Sequence, residues 1–179
     1  MSDELIISQC APTLAGIKTA NMFTDEYTSR EEVAQSLRRL NGVLNPKGLR
    51  IVAMRYMEKR VLLYLYRPEA LSRDLQNADA QEILRSLGYS ECACSKAENC
   101  LGCLICRLRR GGAFPHEVGL FLGYPPEDVR GFIENRAGGF KLLGCWKVYG
   151  DVEQAKKKFE SFKSCTRACR GKALVEIIQ

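Results

Sequence analysis

The sequence predicts an α+β fold, a small and mostly antiparallel sheet packed with several helices. Three observations carry this. Residues 49–57 and 60–66 are rich in β-branched and aromatic residues and flank a short polar turn at Glu58-Lys59, so 49–66 reads as an antiparallel hairpin. Residues 142–149, after Gly138-Gly139, read as a further strand. Most of the remaining segments place apolar residues at helical spacing between capping and turn residues. At 179 residues the chain is expected to form one domain, 1–179, with a cysteine-rich loop and helix at about 90–110.

In chain order, 10–23 mixes small and apolar residues with Pro12 and Gly16, and reads as a loop carrying Cys10 into a short strand or helix. Ser29 followed by Glu32 is a capping box, since the serine accepts from the backbone three residues on and the glutamate reaches back. The helix behind it aligns Val33, Ala34, Leu37 and Leu40, and is expected to stop at Asn41-Gly42. Asn45-Pro46-Lys47-Gly48 is a turn. VLLYLY at 61–66 is apolar on both faces, as an inner strand covered on both sides would be.

Helices are expected at 69–75, 78–87 and 101–110. Pro115, at a first helical position, opens another that runs to Gly123, and Pro125-Pro126 starts the next, with Glu127 and Asp128 in its first turn. A last long helix spans 151–169 with Val152, Ala155, Phe159, Phe162, Thr166 and Cys169 on one stripe, and ALVEII at 173–178 is expected as an edge strand.

The N-terminus carries two acidic residues and no uninterrupted apolar run, and no segment has the length of a membrane span. The expectation is a cytosolic protein without membrane contact. In that compartment the nine cysteines are expected as thiols, metal ligands or redox groups rather than structural disulfides. The net charge of +6 lies entirely in 141–172, which holds nine basic and three acidic residues. Such a face could attract nucleic acid or an acidic protein, or be a solvated lysine-rich helix surface.

Cys92, Cys94, Cys100, Cys103 and Cys106 crowd into one short run. Cys100, Cys103 and Cys106 have the C-x2-C-x2-C spacing that opens a bacterial ferredoxin ligand set, although arginines follow where the fourth cysteine would come. Cys92 and Cys94 with Cys100 and Cys103 would make a zinc knot instead. If 100–106 is a regular helix, the three thiols fan out rather than converge on one ion, and cysteine also packs as a small hydrophobe. Cys165 and Cys169 share one helix face, able to grip an ion together or to pack.

The 114–150 stretch holds the only histidine, the only tryptophan and seven of the fifteen glycines. His116, beside Glu117, sits at a helix start, where an imidazolium is disfavoured and a neutral base or ligand favoured. Paired with Cys10 it would activate a thiolate nucleophile, and its alternative role is a helix cap. The helix-turn-helix rhythm of 117–133 invites a DNA-binding reading. Glu127 and Asp128, at the start of its second helix, would repel phosphates, so a structural helix pair is expected.

The stretches CAPTLAGIKTANMF, LNPKGLRI, YRPEAL, FPHEVGLFLGYPPEDVRGFIEN and GCWKVYGD together resemble the bacterial family called Domain of Unknown Function 3793, over nearly the whole chain. The resemblance implies no reaction, cofactor or substrate. It implies that a site shared by the family would use Cys10, His116, Glu117, Cys145 and Cys165 rather than the 92–106 cluster. The leading expectation is a thiol protein that binds zinc or an iron–sulfur cluster, or exchanges electrons through cysteines. The alternatives are an interaction module using the basic face and a Cys10/His116 nucleophilic enzyme. Any site is expected to be bordered by His116 and Glu117 at one end of the 114–150 block and by Cys145 and Trp146 at the other.

Overall fold

The computed structural model describes residues 1–90 and 96–178, and it is α+β. The chain divides into two compact units, Met1–Glu69 with Ser164–Gln179, and Ala70–Lys163.

The first unit is built on a three-stranded antiparallel sheet. Strands β1 (Ala20–Glu26), β2 (Arg50–Tyr56) and β3 (Arg60–Tyr66) are ordered β1-β3-β2. The predicted hairpin is present, and its second arm is the inner strand. Val61, Leu63 and Leu65 point from β3 into the core, while Tyr64 and Tyr66 stack on the opposite face with ring centroids 5.0 Å apart. A bulge between Ala53 and Arg55 shifts the register of β2.

Helix α1 (Asp3–Leu14) and helix α2 (Arg30–Leu44) contribute Ile6, Cys10, Leu14, Val33, Leu40 and Leu44 to the same core as Leu63 and Leu65. Residues 10–14 are therefore helical, not the expected loop. The Ser2 side chain caps α1 by accepting from Leu5 N, Asp3 and Glu4 favour its first turn, and Pro12 falls late enough for the helix to continue to Leu14. At α2 Ser29 accepts from Glu32 N at 3.1 Å, while Glu32 reaches back to Thr28 and also to the Ser29 backbone. The helix runs past Asn41-Gly42 to Leu44. Asn41 does not end it because its side chain is engaged laterally, donating to Ile51 O at 2.9 Å and accepting from Ile51 N at 3.0 Å. A 3-10 turn (Asn45–Lys47) then closes at Gly48, whose φ of 69° suits glycine.

Helix α3 (Pro68–Leu75) leads out of this unit and is followed by α4 (Ala78–Ser86), α5 (Ala97–Arg110), α6 (Val118–Phe121) and α7 (Pro126–Glu134). The expected 142–149 strand is instead a tight hairpin of its own, β4 (Leu142–Leu143) and β5 (Lys147–Val148), separate from the three-stranded sheet. Gly144-Cys145-Trp146 forces the reversal, closed by Gly144 N donating to Trp146 O at 3.1 Å.

Helix α8 (Val152–Cys169) packs Val152, Ala155, Phe159 and Phe162 around Trp146 and Val148. Its last turn returns to the first unit, where Cys169 joins the core. The terminal ALVEII segment is a short helix, α9 (Leu174–Ile177), not an edge strand: Glu176 reaches back to accept from Ala173 N at 2.8 Å, and Leu174, Ile177 and Ile178 are buried while Val175 is exposed. Among the described residues no helix is long and apolar enough to cross a membrane.

Candidate functional site

The second unit contains a cleft of about 300 Å³ between the α6–α7 corner and the β4–β5 hairpin. Local sequence sets up both walls. On one side the chain turns at Gly123, with φ 74°, and Tyr124 N donates back to Gly119 O at 3.0 Å. Gly119 lets α6 approach α7 closely, since a Cβ there would lie 2.7 Å from Val129 Cγ2. On the other side the space that a Cβ on Gly144 would need is filled by the Phe159 ring.

Asp128 ties the two walls together. It sits in the first turn of α7, only 3% exposed. Its Oδ1 accepts from Tyr149 N and Gly150 N, both at 2.7 Å, and its Oδ2 accepts from Trp146 Nε1 at 2.6 Å. Short bonds to an ionised carboxylate are among the stronger ones available to a protein. The indole is further fixed by Tyr124, stacked at 4.7 Å, and by Phe159, edge-on at 4.5 Å. The acidic first turn of α7 is thus used, through Asp128, to hold the hairpin against the helix pair.

The lining is largely apolar, with four aromatic side chains, Phe114, Tyr124, Phe132 and Trp146, joined by His116, Cys145 and Lys147. His116 is exposed, in the turn before α6 rather than in a helix that starts at Pro115, and lies edge-on to Phe132 at 5.0 Å. Cys145 is exposed at the hairpin tip. Tyr124 Oη donates to the Cys145 carbonyl at 3.4 Å, and its phenol is pushed up to about 12 by burial and, secondarily, by the charge a Cys145 thiolate would carry. Lys147 Nζ donates to Ala137 O at 2.7 Å and stands over the Phe140 and Phe132 rings at 4.8 and 5.6 Å. Such a cleft can enclose a planar apolar group and orient it through few polar atoms.

Two ends of the 114–150 block therefore meet here: His116, Cys145 and Trp146 all border the cleft. Glu117 has a different role. It is 2% exposed, pairs with Arg107 Nε at 2.8 Å and accepts from Tyr89 Oη at 3.1 Å. Arg107 also donates to Leu87 O at 3.0 Å, so this network pins α5 and the end of α4 beneath the His116 turn. Burial first, then the Glu117 charge, push the Tyr89 phenol well above its ordinary range.

Cys10 belongs to the first unit and His116 to the second. The Cys10 thiol is fully buried, and burial pushes its pKa far up, with Lys18 opposing only in part. A thiolate nucleophile at Cys10 is therefore disfavoured. Cys165 and Cys169 do share one face of α8, and their thiols are hydrogen-bonded. Cys165 is pushed up to about 11, chiefly by burial and then by Cys169. Both belong to the packing of the first unit.

Cys100, Cys103 and Cys106 lie on α5, respectively buried, half-buried and exposed. Each step of three turns them by about 60° and lifts them by about 4.5 Å, so they diverge. Cys92 and Cys94 lie outside the described residues. Among the described residues no group of three or more His, Cys, Asp or Glu side chains is placed to hold a metal ion.

Trp146 was expected to border the site, whereas Phe114, Tyr124, Phe132 and Lys147 were not foreseen as site residues, nor was Asp128. For Asp128 the sequence offered only a first-turn acid behind a proline pair, a signal shared by ordinary helix starts. A sequence model of the family described as Protein of unknown function (DUF3793) matches residues 6–176. No curated protein and no solved structure matches the chain.

Proposed function

The chain belongs to the DUF3793 family of proteins of unknown function, and from that premise we propose that it is a thiol-bearing small-molecule-binding protein of the cytosol. Its cleft takes a planar, mostly apolar ligand and holds it beside the exposed thiol of Cys145. The single observation behind this reading is the convergence of four aromatic side chains with His116, Cys145 and Lys147 on one cavity of about 300 Å³. That volume lies at the small end of ligand pockets. A ligand of about twelve non-hydrogen atoms binding at about 0.4 kcal/mol per atom would gain about 5 kcal/mol, a Kd on the order of 0.2 mM.

The test uses Trp146, the only tryptophan, as its own reporter. Titration with single-ring and fused-ring aromatic fragments is expected to change its emission and to slow alkylation of Cys145. A fragment set that leaves both the emission and Cys145 alkylation unchanged would refute the reading.

A second reading rests on α8, where Lys156, Lys157 and Lys158 are all exposed. It makes the protein an interaction module for nucleic acid or an acidic protein. Binding should weaken with salt and disappear when the three lysines are changed to glutamate, and binding that survives the change counts against it.

A further inference from the structure

We infer that the cleft selects aromatic acids, that is, a fused-ring ligand bearing a carboxylate that Lys147 receives. This rests on the small-molecule reading of the cleft and specifies its ligand class.

Two of the lining residues carry formal charges, Asp128 and Lys147, and their situations differ. Asp128 is satisfied within the protein. Three donors occupy its oxygens, and its place in the first turn of α7 offsets its charge with the positive end of the helix. It makes no demand for a cationic ligand. Lys147 is positioned but not neutralised. Its ammonium is steered by two phenylalanine rings and gives one hydrogen bond to Ala137 O. No carboxylate among the described residues forms an ion pair with it. An ammonium has three donors, so two remain for an acceptor.

Aromatic rings hold a cation without cancelling its charge, and they exclude water on their side of it. An anion reaching that ammonium from within an apolar cleft meets a lower effective dielectric than on an open surface, which strengthens the pairing. His116, on the same lining, adds a further hydrogen-bonding group. The cleft thus combines an apolar body for rings with one unneutralised cation, and the matching chemistry is an aromatic body with one negative end.

The experiment is calorimetric titration of the intact protein with three probes of the same shape, 2-naphthoate, 2-naphthamide and 2-naphthylmethylamine. The expected result is naphthoate binding about tenfold tighter than the amide, with the amine weakest, a preference of the size a charge-assisted hydrogen bond gives. Lys147→Met, which keeps the aliphatic stem and removes the charge, should bring naphthoate down to the amide. An amide that binds the unaltered protein as tightly as naphthoate overturns the acid preference while leaving the cleft reading intact, and this comparison needs no variant. A naphthoate preference that persists in Lys147→Met overturns the role given to Lys147. If none of the three probes binds, the cleft reading itself falls, and the acid preference with it.

Discussion

Replacing Asp128 by alanine tests the architecture of the cleft most directly. The carboxylate accepts three hydrogen bonds of 2.6–2.7 Å, one from a buried indole and two from half-buried backbone amides. Hydrogen bonds to charged groups contribute about 1.5–3 kcal/mol each, with donors stranded by truncation adding to the loss. Bonds sharing one acceptor are not additive, so the expected cost is about 4–5 kcal/mol rather than the full sum. That places the variant among the most damaging single substitutions.

Asp128→Asn keeps one carbonyl oxygen but must offer an NH2 to one set of donors, and should cost about 2 kcal/mol. Urea unfolding followed by Trp146 emission measures both. With a slope of about 2 kcal/mol per M, the midpoint should fall by about 2 M for alanine and about 1 M for asparagine. The native-state emission should also shift as the indole loses its partner. A midpoint for Asp128→Ala within about 0.5 M of the parent, equivalent to about 1 kcal/mol, would show that this carboxylate does not join the two walls.

Three further outcomes are expected. Gly144→Ala puts a methyl where the Phe159 ring lies, so it should destabilise by about 1–3 kcal/mol and weaken fragment binding, measurable by thermal melting and Trp146 titration. Alkylation by iodoacetamide at pH 8 with peptide mapping should modify exposed Cys106 and Cys145 first, with buried Cys10, Cys100 and Cys169 slower by about a hundredfold; early labelling of Cys10 contradicts its burial. Tyr124 and Cys165 are raised in the folded chain from 10.0 to about 12 and from 9.0 to about 11. The folded state therefore keeps protons that the unfolded chain releases, so their contribution is fully present below about pH 9 and is lost as pH rises through 11 to 12. Denaturation midpoints between pH 8 and 11.5 should fall, and a flat profile would contradict the assigned environments.

The parts of the fold legible in the sequence are those decided over a few residues. The 49–66 hairpin, its doubly apolar inner arm and the serine cap at Ser29 depend on local pattern and local hydrogen bonds. Where distant partners decide, local signals misled. Asn41 looked like a helix stop, yet it is held in line by Ile51. ALVEII is β-prone in composition, but its buried Leu174, Ile177 and Ile178 follow helical spacing and Glu176 supplies the cap. In α1 the sequence did carry the sign, a serine followed by two acidic residues, but Pro12 and Gly16 masked it.

The site followed the same rule. That His116 and Trp146 lie in the most constrained stretch was visible from its glycines, whereas the partners of Asp128 and Lys147 exist only once the hairpin has folded back onto α7. Glu117, singled out beside the lone histidine, proves to be tied to Arg107, on a helix whose sequence advertised cysteines instead.

The brevity of the β4–β5 hairpin has a consequence for how the cleft behaves. Strands of two residues each cannot sustain themselves in water, so this wall borrows its order from the Asp128 bonds and the Phe159 contact. It is therefore a dependent element that can open while the helices around it stay folded. A ligand in contact with Cys145, Trp146 and Lys147 would be bound and would also clamp the wall shut. Occupancy and local order would then rise together, and slowed amide exchange at Tyr149 and Gly150 would report a filled cleft without any label on the ligand.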